Sequence, residues 1–270
     1  MRGTSRASLA GVRERFEPVL TAAGAQSSTL GAQLFALVDA LDSSGSLRRV
    51  LADPSVEPEA KATVVAQVLA QADPRTVAVA QDLVRQRWSA DADLADAVET
   101  VGLDAVLASA QHDGLLADVE DELFRLNRAL VSQREVRRTL VDTTVPAEAR
   151  GGLIDAILAG RATPATAQLA RRAATAPRGR RYVAALVRLS DLVAERRSRQ
   201  VATVTSAQPL SVAQRARLGQ ILEQAYGSAV QVNVIVDPDV LGGLRVQVGA
   251  QVVDSTMLSR LADARRRLAS

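Results

Sequence analysis

The sequence predicts a mostly α, α+β chain: two tandem helical bundles followed by a small C-terminal α/β module with a short mixed or antiparallel sheet. Three observations predict it. Apolar residues recur at three- and four-residue steps from Ser8 to about Arg199, the spacing of helices with one buried face. A block inside that stretch returns 89 residues further on. After Arg199 the apolar period switches to two.

In chain order, helical segments fall near Leu30–Asp42, Pro58–Leu69, Pro74–Arg87 and Asp91–Ser109. Pro58 and Pro74 stand where a first helical turn begins, a position that needs no amide hydrogen. Pro18 is expected to kink or end the helix that starts near Ser8. The repeat then emerges. Leu34-Phe35-x-Leu37-x-x-Ala40-Leu41 reappears as Leu123-Phe124-x-Leu126-x-x-Ala129-Leu130, and Arg48-Arg49-x-Leu51-x-Asp53 as Arg137-Arg138-x-Leu140-x-Asp142. From Leu34 to Ala60, 13 of the 27 positions are identical to their counterparts without a gap, more than an Ala-rich composition explains. The expected domains are residues 1–109, a first bundle copy, residues 110–199, a second copy, and residues 200–270, the α+β module.

In that module Val201–Ala207 reads as a strand, and Ser211 with Gln214 as a capping box. Leu218, Ile221, Leu222 and Ala225 form one helix face. Val230, Val232, Val234 and Val236 alternate with polar neighbours, and Leu244, Val246 and Val248 do so again. Gly249-Ala250 fits a two-residue turn into Gln251–Val253, and Asp254 can cap a closing helix.

Composition narrows the chemistry. The chain has no cysteine, one histidine (His112) and one lysine (Lys61), so thiol chemistry, a two-His metal site and a His-based triad lack their side chains. Three Phe, two Tyr and one Trp suit close-packed helices better than an aromatic cofactor pocket. No apolar leader or membrane span is visible. Gly242-Gly243 lacks the Lys-Ser/Thr and helix start of a phosphate loop and reads as a turn. His112 reads as a helix-end residue, and Trp88 as either core or partner anchor. No catalytic, cofactor or metal constellation is expected.

Charge is uneven. Asp91 to Glu122 carries ten acidic residues and no Arg or Lys, whereas Arg161 to Gln200 carries ten Arg. The simpler expectation is that the two faces attract each other within the bundle; the sharper one is that each awaits a charged partner helix.

The run Val-Asp-Pro-x-x-Leu-Gly-Gly-x-x-Val-x-Val-Gly, then Val-Val-Asp-Ser and Leu-x-Arg-Leu, resembles the delta subunit (oligomycin-sensitivity-conferring protein) family of F-type ATP synthases. Asp237, Gly242, Gly243, Gly249, Asp254, Arg260 and Leu261 fit the family pattern, and Ser255 departs from its usual Gly. The helical part resembles the family's six-helix bundle in outline, enlarged by one copy as in actinobacterial members.

The resemblance implies a non-catalytic stator subunit that joins the alpha/beta head to the peripheral stalk. Its implied partners are the N-terminal helix of an alpha subunit, in a groove between first and fifth helices, and the C-terminal helix of stalk subunit b, on the C-terminal module. It implies no cofactor, a place on the cytoplasmic face of the bacterial plasma membrane, and membrane contact only through the complex. Candidate partner contacts are Val12, Phe16, Leu83 and Trp88 in the first copy, with Leu258 and Leu261 in the closing helix. The second copy's groove is expected between the segments near Val101–Ser109 and Thr163–Thr175, packed side by side with complementary charge. The competing reading is a free-standing Arg-rich helical adaptor that binds nucleic acid. Tyr182 is the only ring near those Arg, which are not interleaved with aromatics, so no nucleic acid is expected.

Overall fold

The computed structural model describes the chain except residues 2, 143, 199–200, 227–229, 238–239, 241–242, 249–250 and 255–270. It forms two compact units, Met1–Leu192 and Val193–Ser270. The class is the expected one, mostly α with a C-terminal α/β module.

The helices of the first unit are α1 Gly3–Ala23, α2 Ser27–Ser43, α3 Gly45–Ala52, α4 Pro58–Val68, α5 Pro74–Arg85, α6 Asp91–His112, α7 Leu116–Val131, α8 Arg134–Val141, α9 Ala147–Leu158, α10 Pro164–Thr175 and α11 Tyr182–Ser198, the last running past the unit's end. Pro58, Pro74 and Pro164 each occupy a first turn. Asp73 caps α5 by accepting from the Arg75 amide at 2.8 Å, and the Arg75 side chain bonded to it lowers its carboxyl to about 2. Pro18 neither ends nor replaces α1, which continues to Ala23. Its ring is exposed, so the carbonyl deprived of a partner one turn earlier can turn to water.

The repeat holds bond by bond. Asp53 accepts from the amide and hydroxyl of Ser55 at 2.8 and 2.6 Å, and Asp142 does the same with Thr144 at 2.9 and 2.6 Å. Gln33 Oε1 accepts from the Asp73 amide, and its counterpart Glu122 from the Thr163 amide, both at 3.0 Å. Lys61 donates to the Asp53 carbonyl as Arg150 does to that of Asp142.

The spacing drifts along the unit. It is 89 between α3 and α8 and 90 between α5 and α10, while α1 and α6 start 88 and end 89 residues apart. α6 is therefore both the sixth helix of the first copy and the first of the second. Its Leu94, Ala97, Val98, Val101, Ala105 and Ala108 join the first copy's core with Val12, Leu34 and Leu83, while Leu103, Val106, Leu107 and Ala110 are buried on its other faces. The expected boundary between residues 109 and 110 falls inside this helix. The two copies form one unit through it.

In the second unit a four-stranded sheet has the order β2-β1-β3-β4, with β1 Val201–Ser206, β2 Gln231–Val236, β3 Leu244–Val248 and β4 Gln251–Asp254. β1 pairs parallel with β2 across helix α12 (Val212–Tyr226), and antiparallel with β3. Val248 pairs with Gln251, which leaves a two-residue connection. Ala202, Leu222 and Val248 form the core of this unit, with Leu218, Val230, Val232 and Val246 against it. The capping box is present: the Ser211 amide donates to Gln214 Oε1 at 2.9 Å, and the Gln214 amide to Ser211 Oγ at 3.2 Å. One expectation is corrected: Ile221 is exposed, not on the buried face of α12. Asp254 is the last residue of β4, its backbone paired with Arg245, and the closing helix expected after it lies outside the described residues.

Candidate partner-binding grooves

α6 is the element on which the helical unit turns. Every residue from Ala97 to Ala110 is buried, polar ones included. A helix covered on all sides needs a partner for each polar group, since an unpaired one costs about 1–3 kcal/mol. Each has one. Asp104 accepts from Arg13 of α1 through both oxygens, at 2.7 and 2.9 Å, and Ser109 donates to the Ala25 carbonyl at 3.1 Å. Towards the second copy, Glu99 accepts from Arg180 and Arg188 at 2.6 and 2.7 Å, and Thr100 accepts from Arg188 at 2.7 Å. Burial alone would raise the Glu99 carboxyl, but the Arg188 hydrogen bond and the charges of Arg180, Arg188 and Arg178 hold it below its ordinary value.

The acidic and basic stretches thus meet inside the molecule. Arg178 binds Asp42 and Asp96 at 2.7 and 2.8 Å, Arg180 binds Asp96 at 2.9 Å, and Arg172 binds Asp39 at 2.7 Å. Arg171 pairs with Glu148 and Asp155. At least five of the ten Arg of the basic stretch are paired with acids among the described residues, which weakens the footprint for a phosphate backbone.

α6 and α10, the first and fifth helices of the second copy, pack side by side as expected. The groove between them already holds a helix. α2 lies along it, with the Phe35 ring against α6 at Gly102 and under the Arg172 guanidinium of α10, 4.8 Å from the ring centroid. Gln168 of α10 donates to the Ser28 carbonyl of α2 at 3.3 Å, and Arg172 reaches Asp39 one turn beyond Phe35. The approach of α2 to α6 depends on two glycines: a Cβ on Gly31 would lie 2.7 Å from the Gly102 carbonyl oxygen, and one on Gly102 the same distance from the Phe35 ring.

The equivalent groove of the first copy lies between α1 and α5, which also pack together. Asp82 stands where Arg172 does in the other, at the 90-residue spacing of α5 and α10, and Gly11 supplies a glycine on α1 as Gly102 does on α6. Arg15 folds over Gly11, whose added Cβ would meet its Nη1 at 3.2 Å, and crosses the seam to bind Asp82 at 2.9 Å. Arg15 is 54% exposed and no helix of the first unit covers this seam among the described residues.

The residues singled out from the sequence fall unevenly on these grooves. Val12, Phe16, Leu83 and Trp88 are core, not open surface: all four are buried, and the Trp88 indole donates to the Leu83 carbonyl at 2.9 Å. Their apolar character serves the first copy's own packing. His112 closes α6, with its ring against Gly24. In the second unit Asp237 follows β2 with its amide on the Ser206 carbonyl, and Gly243 takes φ +84, the left-handed conformation that favours glycine. Asp254 lies in β4. Gly242, Gly249, Leu258, Arg260 and Leu261 lie outside the described residues. Missed from the sequence were Gly11, Gly31, Gly102 and Asp82; a glycine inside an apolar helical run was the available signal.

A helix seated in a helix-lined groove, with charges paired across it, defines a helical protein built of repeats. The profile of the ATP synthase delta (OSCP) subunit matches residues 104–268, from the middle of α6 onward. The chain is 51% identical over 270 residues to ATP synthase subunit delta of Beutenbergia cavernae, covering 100% of both chains, and 45% identical to that of Streptomyces avermitilis, covering 99% of this chain and 98% of the other. It is 40% identical to that of Thermobifida fusca over the whole of both. The chain belongs to the ATP synthase delta (OSCP) subunit family. A chain of the Toxoplasma gondii mitochondrial ATP synthase hexamer superposes on it only loosely, with a TM-score of 0.32 at 16% identity over 62% of this chain and 95% of that one.

Proposed function

We propose that this chain is a stator subunit of a proton-translocating F-type ATP synthase, a non-catalytic strut that joins the catalytic head to the peripheral stalk and resists rotor torque. Its full-length identity with delta subunits carries this reading. The α1–α5 groove receives the N-terminal helix of an alpha subunit, because the corresponding α6–α10 groove is occupied by α2. The α+β unit holds the C-terminal helix of stalk subunit b. As part of such a synthase the chain is held at the cytoplasmic face of the plasma membrane through its partners; no described helix is long and apolar enough to cross a membrane.

Tagged full-length chain should co-purify alpha and b subunits from cells; recovery of neither would overturn the assignment. A peptide of the alpha N-terminus should bind the unmodified chain and lose affinity about tenfold or more with Asp82→Arg in the α1–α5 seam. Retained affinity in that variant would place the peptide elsewhere.

A further inference from the structure

α2 seated between α6 and α10 shows what a groove of this repeat accepts. It presents Phe35 to a glycine, an acid (Asp39) to Arg172 one turn later, and its Ser28 carbonyl to Gln168. The copy of α2 in the second bundle is α7. Its equivalent face carries Phe124 for Phe35, Arg128 for Asp39 and Ala117 for Ser28. No neighbour within the unit buries this face: Phe124 is 59% and Val131 60% exposed, and Arg128 and Ala117 are exposed too. Phe35, by contrast, is 5% exposed.

The copy of the groove is α1–α5. There α1 offers a glycine, Gly11, as α6 offers Gly102, and the charged position has changed in the complementary sense. Asp82 replaces Arg172, so the ion pair Asp39–Arg172 becomes Arg128–Asp82 with its polarity reversed. Ala78 replaces Gln168, so the α1–α5 groove has no side-chain donor for the backbone carbonyl at the Ser28 position. Arg15, already over Gly11, stands where it can cover the Phe124 ring as Arg172 covers Phe35.

We infer that a second copy of this chain docks its α7 face into the α1–α5 groove, continuing between molecules the stacking that joins the two bundles within one. The contact is heterologous: the face and the groove are different surfaces at different ends of the repeat, so association runs head to tail and does not close at a dimer. A helix bound in the α1–α5 groove caps the stack, as terminal repeats cap a solenoid. Incorporation through that groove and self-association are then mutually exclusive.

The test is sedimentation of the full chain across a concentration series at low salt. The average mass is expected to rise past that of a dimer. Phe124→Glu and Asp82→Arg each weaken association about tenfold or more. Phe124 and Asp82 lie outside the core, so both variants keep the helical signal of the parent. Equal amounts of the two variants, mixed, give complexes that stop at two chains, since one retains only the groove and the other only the face. The double variant Asp82→Arg with Arg128→Asp regains association. A monomer at all concentrations up to about 1 mM, an unmodified chain that stops at a dimer, or a mixture of the two variants that stays monomeric overturns the inference. The Phe124→Glu chain keeps its groove, so alpha-peptide binding measured in it tests the functional proposal separately.

Discussion

Gly31 and Gly102 allow α2 and α6 to touch backbone to side chain, and neither site has room for a methyl group. At Gly31 the obstacle is a carbonyl oxygen of the facing helix, which cannot rotate away. Gly31→Ala should therefore lower stability by about 1–3 kcal/mol, read as a lower urea midpoint with an unchanged slope. Glu99 makes a different prediction. Its carboxyl is lower in the folded chain than its ordinary value of 4.5, so the folded state releases that proton more readily than the unfolded one. The stability it contributes is complete above about 4.5 and is lost as pH falls through the lowered folded value. Glu99→Gln leaves three guanidinium groups without their shared acid and should cost about 3–5 kcal/mol near neutral pH. The gap to the parent should narrow in acid denaturation below the usual carboxylate range; a constant gap would sink this account. The sequence marked Glu99 only as one of ten acids in a run, since charge density does not show that a side chain is buried.

Among the elements, those with local chemistry at their ends were legible before the structure. Proline at a first turn announced α4 and α5, and Ser211 with Gln214 announced α12. Ser211→Ala should cost about 1 kcal/mol and speed amide exchange in the first turn of α12 while leaving α1–α10 unchanged. Elements whose course depends on distant packing were not legible. Pro18 reads locally as a break, yet α1 persists because Phe16 and Leu20, on either side of it, are both buried in the same core. α6 reads as a helix with a polar side, but Asp104 and Glu99 point at arginines separated from them by 91 and by 79 or more residues. The 89-residue repeat was visible because its strongest identities lie in α2, α3 and their copies. The sharing of α6 was not, since α1 and α6 retain a helical phase and a glycine but little identity.

At the scale of the whole helical unit, sharing a helix means that the two copies have no independent stability. Leu34 and Leu123 are equivalent and both buried. Leu34→Ala and Leu123→Ala should each lower one common unfolding transition by about 2–5 kcal/mol. Two separate transitions, each sensitive to one variant, would show that α6 does not couple the copies. By the same argument, cutting the chain after residue 109 would remove most of the second copy's first helix as well as the first copy.

The shared helix also has a mechanical meaning. Two bundles joined by a flexible tether would act as springs in series with a soft element between them, and a load would first stretch the tether. Here a load applied at α1 reaches α10 through side chains packed on opposite faces of a single rod. The compliance of the pair is that of close-packed protein, and little elastic work is stored at a joint between the copies.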